Sequence, residues 1–478
     1  MHDFHRARRQ YLDSEQIPAP TAGNMRVGLL WPGSYESGMA SLGFAELYRR
    51  LNLPGVSTCE RYFGALGTLT PEGGPCLSLE SGRPLGDCDL VAVSLGCERE
   101  LGDLVGLLRG SGIEPLSADR GGRPGVVAGG AATRSNPWLL KPVADVVICG
   151  DGEDALEALA AMLGAGRGDR EALLEYLGGA PGAVSDRGGD GLPAVSRPDL
   201  PLVSSVVAPR AAFGDMRLVE LVRGCPRACG FCVCCRHLTP FRQAPRDLAL
   251  ERLAQSSGRL GLLGAGVADW PHLAEALELL ASRGREASVS SLRADRLDER
   301  LLLALKGCGT RSLTVALDGP SHRLRAMVGK ELGEAAFKDG LALAAKLGLG
   351  VAKVYVMVGL PGETEEDLRE LADFLLELAT FSSLTVAVSP FVPKRNTALQ
   401  EAPFGPVPLL TSRIKLLSHL LKGRCRLSQV SPREAALEHA LTWVSPEAVA
   451  DLVPHLRQGM SAADWKALLR FDRSGPLH

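Results

Sequence analysis

The chain has 478 residues, of which 45% are hydrophobic and 23% charged, a composition typical of a folded globular protein that excludes a disordered or fibrous chain. Its 53 Lys and Arg residues are balanced by 55 Asp and Glu residues, so no overall basic field could hold a polyanion, and we expect no nucleic-acid partner. Because there is no apolar run of about 18 residues and no secretory signal pattern, we expect a cytoplasmic protein without a membrane span.

Short apolar runs mark the N-terminal part of the chain. Residues 1–24 are polar and are predicted to form a terminal arm. The runs that follow end in glycine or other small residues, alternate with helical patterns, and are typical of strands buried on both faces of a parallel sheet. Residues 25–163 are therefore predicted to form a doubly wound, Rossmann-like α/β domain. The predicted strands are Met25–Trp31, Asp89–Leu95, Gly125–Ala128 and Asp145–Cys149, and the clearest helix is Glu153–Leu163.

A segment rich in Gly, Pro, Ser and Asp, residues 164–210, is predicted to be a linker with one short helix. Strand–helix alternation then resumes over residues 211–400. Six such units fit a partial (β/α)6 TIM barrel, since a full eight-unit barrel needs about 250 residues. The predicted strands are Leu218–Val222, Leu260–Leu263, Ala287–Leu292, Ser312–Leu317, Lys353–Val358 and Leu384–Val388.

Helices are predicted to end the chain. Residues 401–478 show no strand pattern and are expected to form a helical C-terminal extension, with helices such as Leu409–Leu421 and Ala463–Phe471. Inside the barrel, Thr364 is expected to cap the helix Thr364–Ala379, and Gly348 to follow the end of the helix Phe337–Leu347. Trp270, Tyr355 and Phe391 are predicted to be core residues.

The distribution of cysteines points to a functional site. Of the 12 cysteines, five lie between residues 225 and 235, whereas the other seven are scattered and are predicted to be small buried side chains. Cys225, Cys229 and Cys232 have C-x3-C-x2-C spacing and directly follow a predicted strand, where α/β barrels carry their active sites. Three thiolates on a short loop can hold three corners of a [4Fe–4S] cluster and leave the fourth iron open to another ligand.

Two other interpretations of this loop remain open. A structural zinc ion could be bound with His237, Cys234 or Cys235 as the fourth ligand. A pair of thiols could also serve redox exchange, although the third cysteine then has no role. In the cluster interpretation, Cys234 and Cys235 are predicted to be ordinary thiols beside the cluster loop.

The pattern C-x3-C-x-F-C after the first barrel strand resembles the signature of the radical S-adenosylmethionine (SAM) superfamily. The resemblance implies that Cys225, Cys229 and Cys232 ligate a [4Fe–4S] cluster whose open iron chelates the amino and carboxylate groups of SAM. It implies reductive cleavage of SAM to a 5′-deoxyadenosyl radical, with electrons from a donor such as flavodoxin or ferredoxin. Phe231 would flank the adenine.

Later segments agree with this family in order. The resemblance implies SAM contacts at the glycine-rich stretch after the second strand, at polar residues that end the third and fourth strands, and at the GLPGET stretch after the fifth. These residues are Gly264, Gly266, Ser290, Arg293, Asp318, Gly359 and Pro361. One departure is that Val267 stands where the family has an acidic residue, and Asp269 is the next acid.

A doubly wound domain before such a barrel resembles a group of bacterial B12-binding radical SAM proteins. Six segments carry this resemblance, which implies tentative cobalamin contacts at the carboxyl ends of the strands, at Ser94, Gly129, Gly130, Gly150, Gly152 and Glu153. The segments are 32–45, 79–86, 126–137, 148–154, 290–297 and 389–394. The first-strand loop, residues 31–38, lacks the histidine that supplies a lower cobalt ligand in many cobalamin domains. A domain that has kept the fold and lost the corrin is the alternative.

The resemblance implies an enzyme that abstracts hydrogen from an unactivated carbon and, with cobalamin, transfers a methyl group to the substrate radical. One alternative is a corrin-independent rearrangement, cross-link or RNA modification. Others, from different classes, are a non-catalytic metal-binding regulator or scaffold, and a partner protein that acts only in a complex. The sequence does not indicate which substrate is used.

Overall fold

The computed structural model describes residues 2–67, 69 and 73–469. The chain divides into two compact units, and the first comprises residues 1–198, 204–216 and 440–478. The second comprises residues 199–203 and 217–439. Beyond residue 439, which ends the second unit, the chain therefore returns to the first unit. No helix among the described residues is long and apolar enough to cross a membrane.

A six-stranded sheet in the order β2-β1-β3-β4-β5-β6 forms the centre of the first unit. The first five strands pair parallel, and β6 pairs antiparallel with β5. This is the flavodoxin-like variant of the doubly wound fold. The strands are β1 (Met25–Ser34), β2 (Ser57–Ala65), β3 (Leu90–Ser94), β4 (Gly125–Gly129), β5 (Val146–Ile148) and β6 (Ala183–Ser185).

Two elements of this sheet differ from the prediction. Strand β2 was not predicted, and β6 lies in the segment predicted to be a linker. The N-terminal arm contains a helix whose Tyr11 packs edge-on against Tyr35 at 4.4 Å between ring centroids, so the arm is part of the unit. The helices are α1 (His2–Leu12), α2 (Tyr35–Gly38), α3 (Leu42–Leu51), α4 (Leu101–Gly110), α5 (Ala131–Ser135), α6 (Glu153–Gly164) and α7 (Arg170–Tyr176).

The second unit contains the predicted partial barrel. Two four-stranded sheets, in the orders β12-β11-β8-β7 and β13-β14-β15-β16, are joined by a parallel bridge between Leu292 and Val315. Their strands are β7 (Leu202–Val203), β8 (Met216–Glu220), β11 (Arg259–Leu263), β12 (Ala287–Val289), β13 (Leu313–Asp318), β14 (Val351–Val358), β15 (Ser383–Pro390) and β16 (Arg426–Gln429). A small hairpin pairs β9 (Val222–Arg223) with β10 (Arg242–Gln243). The mixed α/β class with parallel sheets is confirmed. Strand β16 was not predicted.

Helices between the strands cover the outer side of the barrel. They are α8 (Val233–His237), α9 (Arg246–Gln255), α10 (Leu273–Ser282), α11 (Glu299–Gly307), α12 (His322–Met327), α13 (Glu334–Lys346), α14 (Glu365–Leu378) and α15 (Val407–Leu420). The chain ends with α16 (Pro432–Trp443), α17 (Pro446–Leu452) and α18 (Ala462–Leu469). The predicted helix Ala463–Phe471 thus corresponds to α18, and its last two residues lie outside the described residues.

Several local predictions for the second unit can be compared with the structure. Thr364 caps α14 in a capping box with Asp367, and Gly348 follows α13 with φ +88°. Trp270 and Phe391 are buried, as predicted. Tyr355 is 38% exposed, so its prediction as a core residue is wrong. It lies on the outward side of β14, where buried and more exposed residues alternate.

Candidate active site

The cysteine-rich segment forms a closed loop after the first barrel strands. Strand β9 pairs antiparallel with β10, with Arg223 opposite Arg242. Gly224 has φ +86°, and a Cβ atom there would lie 2.1 Å from the carbonyl oxygen of Leu238. Only glycine allows the two ends of the loop to approach this closely. We call residues 224–241 the cysteine loop.

Electrostatic interactions link four thiols of the cysteine loop. The side chain of Cys235 interacts with those of Cys225, Cys229 and Cys232. This interaction lowers the pKa of Cys225 to about 7 and also lowers the pKa of Cys229. Interactions with Cys234 and Cys235 lower the pKa of Cys232, whereas interactions with the other three cysteines and burial raise the pKa of Cys235.

The donor chemistry of this loop fits an iron–sulfur cluster. Cys229 and Cys235 are buried, and Cys225 and Cys232 are partly exposed. In a [4Fe–4S] cluster each thiolate binds a different iron, so several thiolates on one loop are a suitable set. Among the residues that the structure describes, no group of three or more His, Cys, Asp or Glu residues has the arrangement of a metal-ion site. The fit of the cysteine loop to an iron–sulfur cluster therefore depends on its thiol donors and not on a preformed arrangement of ligands.

Backbone hydrogen bonds fix the middle of the cysteine loop to the barrel. Gly230 donates its N–H to the carbonyl oxygen of Val328 at 2.8 Å, and Leu399 donates to the carbonyl oxygen of Gly230 at 2.9 Å. The sulfur of Cys229 lies 3.8 Å from the carbonyl oxygen of Gly329. These partners follow β13 and β15 in the chain, so the position of Cys229 depends on the folded barrel.

Two of the predicted SAM-contact glycines lie against the cysteine loop. Gly264 has φ +150°, and a Cβ atom there would lie 2.3 Å from a side-chain carbon of Val222. A Cβ atom on Gly266 would lie 3.2 Å from the ring of Pro226. The hydroxyl of Ser290 donates to the carbonyl oxygen of Gly264 at 3.1 Å. The backbone of these two glycines therefore borders the cysteine loop, next to Ser290.

An ion pair ties the same two loops together. Arg227 of the cysteine loop lies 2.6 Å from the carboxylate of Asp269, which ends the turn after β11. Asp269 is the acid that sequence reasoning placed two residues beyond Val267 and left without a defined role. In the structure its carboxylate positions the cysteine loop.

A second charged pair lies near Cys229. Lys330 lies 2.6 Å from Asp318, whose φ of +65° is unusual for a residue other than glycine. Both charges act on Cys229, where Lys330 lowers the pKa and Asp318 raises it. Arg293 donates to the carbonyl oxygen of Glu331 at 2.9 Å, so it reaches the same segment. Sequence reasoning missed Lys330, because no local motif marks it.

The GLPGET turn after β14 is closed by its own glutamate. The carboxylate of Glu363 accepts the backbone N–H groups of Gly359 at 2.8 Å and Leu360 at 3.3 Å, and it lies 3.2 Å from Arg413. Burial raises the pKa of Glu363 to about 7. The N–H groups of Gly359 and Leu360 are thus bonded within the turn, and the N–H of Thr364 is bonded to Asp367.

The apolar side of the site includes the predicted adenine neighbour. Phe231 packs against a small buried cluster that contains Leu360, Phe391 and Leu324. Pro361, the other predicted contact here, is partly exposed. Phe231 therefore lies beside the GLPGET turn, and the structure brings the sequence-predicted residues of five successive barrel loops to one region.

In the first unit, most of the glycines proposed to contact cobalamin face other parts of the chain. A Cβ atom on Gly130 would lie 2.5 Å from the carbonyl oxygen of Leu95, and one on Gly150 would lie 2.3 Å from the backbone N of Ala194. A Cβ atom on Gly129 would lie 3.4 Å from the carbonyl oxygen of Ile148, which is an ordinary van der Waals contact. Only Gly152 of this set borders open space. Ser94 is buried at the end of β3, and Glu153 is the first residue of α6.

An indole ring lies between the ends of β1 and β3, where the strand order of this fold changes direction and ligands commonly bind. Trp31 is 8% exposed. Cβ atoms on Gly33 and Gly96 would lie 2.8 Å and 2.9 Å from its ring. Its ring nitrogen donates to the hydroxyl of Ser37 at 3.0 Å. The loops after the two strands therefore close on a side chain of the protein itself.

Residues 440–469, which we call the C-terminal segment, pack on the carboxyl ends of this sheet. Gln458 donates to the carbonyl oxygen of Gly64 in β2 at 2.7 Å. The buried amide of Asn136, which follows β4 and α5, donates to the carbonyl oxygen of Leu441 at 3.0 Å. On α4, a Cβ atom at Gly106 would lie 2.5 Å from the backbone N of Gln458. The segment therefore contacts the end of β2, the residue that follows α5 and one face of α4.

Comparisons with known proteins agree with both units. Residues 43–184 match the model for the N-terminal region of radical SAM proteins, and residues 219–375 match the model for the radical SAM superfamily. Together the two matches cover more than half of the chain. An uncharacterized protein of Methanocaldococcus jannaschii is 33% identical over 199 residues, which are 40% of this chain and 44% of that protein.

The fold also resembles solved structures. One is the cobalamin-dependent SAM radical enzyme OxsB with aqua-cobalamin and SAM bound, with a TM-score of 0.53 and 15% identity over 83% of this chain and 55% of that chain. The same enzyme with aqua-cobalamin alone gives a TM-score of 0.53 at 14% identity, over 83% of this chain and 56% of that chain. The chain thus spans about half the length of these relatives. On the two family matches, the chain belongs to the radical SAM superfamily.

Proposed function

We propose that this protein is an enzyme that cleaves SAM reductively at a [4Fe–4S] cluster bound by Cys225, Cys229 and Cys232. The observation that carries the proposal is that these three thiols lie on one short loop, which packs against the turns after β11 and β14. The superfamily implies both the cluster and SAM as cofactors. The substrate is a molecule with an unactivated C–H bond.

The chemistry divides between the cofactors and the chain. A cluster held by Cys225, Cys229 and Cys232 would supply the electron that cleaves SAM to a 5′-deoxyadenosyl radical, which would abstract a hydrogen atom from the substrate. The chain's own residues hold SAM in place and exclude water. Gly264 and Gly266 allow close approach of the backbone, and Ser290, Arg293 and Asp318 add polar groups. An external donor such as flavodoxin or ferredoxin delivers the electron.

We propose that apolar residues hold the adenine of SAM. Phe231 packs with the cluster that contains Leu360 and Phe391, and Gly359 and Pro361 belong to the same turn. Because the N–H groups of Gly359 and Leu360 are bonded to Glu363, this side of the site presents its apolar surface to the ring rather than those two donors. Stacking and shape, rather than hydrogen bonds from that turn, would hold the adenine.

The test is an anaerobic reconstitution with iron and sulfide, followed by SAM and a strong reductant, with 5′-deoxyadenosine measured by mass spectrometry. We expect product from the unaltered chain, and neither cluster absorbance nor product from Cys229→Ala. Cys308→Ala is a matched control, because Cys308 is buried outside the loop. Cleavage by Cys229→Ala, or a fully loaded chain that binds SAM and yields no product with any reductant, would contradict the proposal.

A second proposal concerns methyl transfer through cobalamin. It is supported by the flavodoxin-like strand order of the first unit and by the fold shared with a cobalamin-dependent enzyme. The residues at this sheet edge fit an exposed corrin poorly, because Trp31 and the C-terminal segment occupy it and residues 31–38 hold no histidine. A corrin bound at this edge therefore requires the C-terminal segment to be displaced.

Cobalt content distinguishes a cobalamin-dependent enzyme from a corrin-independent one. The full chain is incubated with hydroxocobalamin, passed through a desalting column and analysed for cobalt and for the corrin spectrum. Stoichiometric cobalt supports cobalamin-dependent methyl transfer. Cobalt at background level, together with cleavage of SAM, supports a corrin-independent rearrangement, cross-link or RNA modification.

A further inference from the structure

We propose that the buried ion pair between Lys330 and Asp318 sets the reduction potential of the cluster. The ammonium group of Lys330 favours the reduced cluster, and the carboxylate of Asp318 opposes this effect. Both side chains act through their charges on Cys229 and the iron bound to it, and neither is a cluster ligand. The inference deepens the proposed function and rests on the cluster assigned there.

The segment that carries Lys330 packs directly on Cys229. Gly230 donates its N–H to the carbonyl oxygen of Val328 at 2.8 Å, and the sulfur of Cys229 lies 3.8 Å from the carbonyl oxygen of Gly329. A Cβ atom on Gly329 would lie 3.9 Å from the Cα atom of Cys229. Lys330 therefore follows a close backbone contact with one of the proposed ligands.

The end of helix α12 explains why Lys330 meets Asp318. Gly329 has φ +69°, and the N–H of Lys330 donates to the carbonyl oxygen of Arg325 at 2.8 Å, as in a Schellman motif. The guanidinium of Arg325 also donates to the carbonyl oxygen of Gly319, the residue after Asp318, at 3.1 Å. The turn after α12 is thus tied to the end of β13, and this brings the two charges together.

Both charges are largely withdrawn from solvent. The ammonium nitrogen of Lys330 lies 2.6 Å from the carboxylate of Asp318, and the two side chains are 10% and 17% exposed. Charges in such places are screened by water and salt much less than charges on the surface. Lys330 and Asp318 both interact electrostatically with Cys229, in opposite senses.

The expected effect on the cluster follows from charge alone. Reduction adds one negative charge to an iron–sulfur cluster, and local charge is among the features that set its potential. The external donor is oxidised by one electron and the cluster is reduced by one, while Lys330 and Asp318 exchange neither a bond nor a proton. Removal of the cation and removal of the carboxylate should therefore shift the potential in opposite directions.

The experiment measures the midpoint potential of the reconstituted full chain without SAM, by a redox titration followed by electron paramagnetic resonance. We expect the potential to fall in Lys330→Met and to rise in Asp318→Asn. Each shift should be about 59 mV, which is a tenfold change in the equilibrium constant of a one-electron reduction. Lys330→Arg keeps the charge and should restore the potential of the unaltered chain.

A matched pair of control variants lies elsewhere on the barrel. Lys338 and Glu377 form an ion pair of 2.7 Å between α13 and α14, with side chains 40% and 52% exposed. Lys338→Met and Glu377→Gln remove the same kinds of charge and should leave the potential unchanged. General damage to the fold would not produce two shifts of opposite sign.

The outcomes separate this inference from the proposed function. If the unaltered chain forms no four-iron cluster on its three proposed ligands, the proposed function fails. If the cluster forms and the Lys330→Met and Asp318→Asn potentials match those of the controls, the inference is wrong and the proposed function stands. The same holds if Lys330→Met loses only affinity for SAM. If Lys330→Met does not retain its cluster, Asp318→Asn decides, since a raised potential supports the inference and an unchanged one overturns it.

Discussion

Arg227 and Asp269 join the cysteine loop to the turn after β11 through an ion pair of 2.6 Å. The carboxylate is 10% exposed and the guanidinium 29%, so the pair is partly shielded from solvent. A second arginine, Arg296, approaches the same carboxylate at 4.0 Å. Asp269 thus anchors the loop that holds the proposed cluster ligands, although it is no ligand itself.

Removal of this anchor should weaken retention of the cluster. We expect Asp269→Asn to cost about 1 kcal/mol of loop stability, which corresponds to about a fivefold weaker hold on the cluster. The measurement is iron per chain after reconstitution and washing. Asp247→Asn is the control, because Asp247 pairs with Arg246 but is 91% exposed. Equal iron retention in the two variants would show that the pair does not support the loop.

The buried glutamate of the GLPGET turn should make stability depend on pH. Burial raises the pKa of Glu363 to about 7. The folded state therefore binds a proton that the unfolded state has released, and the contribution of Glu363 to the free energy of unfolding falls as pH rises from its ordinary pKa to about 7. Glu363→Gln keeps an oxygen for the two N–H groups and removes the titration. We expect the stability of the unaltered chain relative to this variant to decrease by about 2–3 kcal/mol across that window.

Urea unfolding of both proteins at several pH values between about 5 and 7.5 measures this difference. A constant difference between the two proteins would mean that Arg413 holds Glu363 ionised throughout. The control Glu365→Gln, at an exposed position in the first turn of α14, should leave the pH dependence as it is.

The buried ion pair between Arg61 and Glu15 should be essential to the first unit. Both side chains are fully buried and lie 2.6 Å apart, and Arg61 also pairs with Glu80 at 2.6 Å. Arg61→Met leaves carboxylates buried without a counter-charge, at an expected cost of about 3–5 kcal/mol. Arg26→Met, whose side chain is 48% exposed, should cost less than about 1 kcal/mol.

Hydrogen–deuterium exchange in β2, followed by mass spectrometry, locates the effect of Arg61→Met. We expect faster exchange in Ser57–Ala65 than in the Arg26→Met control. Unchanged exchange in that strand would show that its register does not depend on the buried charges.

Contact between α4 and the C-terminal segment can be broken by one methyl group. Gly106→Ala places a Cβ atom 2.5 Å from the backbone N of Gln458, and we expect a cost of about 1–3 kcal/mol from overpacking. Gly43→Ala is the matched helical control, because its nearest neighbour lies 3.8 Å away. Exchange in residues 446–469 should rise only in Gly106→Ala. If corrin and the segment compete for the sheet edge, that variant should also take up more hydroxocobalamin.

Patterns that depend on neighbours in the sequence predicted much of this molecule. The apolar runs gave four parallel strands of the first unit, and the cap at Thr364 and the glycine at 348 set the ends of two helices correctly. The spacing of Cys225, Cys229 and Cys232 identified the loop, because all three lie in one short segment. Each of these features is local, so the sequence alone contained the signal.

Features that depend on distant partners were missed. Strand β2 carries Glu60 and Arg61, which break the apolar pattern, and Arg61 is buried only because Glu15 and Glu80 meet it. Lys330 reaches Cys229 through the fold of the barrel, and no motif marks it.

The contribution of residues 440–469 to the first unit has a consequence for how the chain is made. The six strands of that unit leave the ribosome early, but Gln458 and Leu441 are synthesised only after the whole barrel. At typical rates of synthesis this interval lasts about 10–50 s. During that time the end of β2 and the face of α4 that carries Gly106 are uncovered, so the nascent chain exposes to chaperones a surface that the finished chain covers.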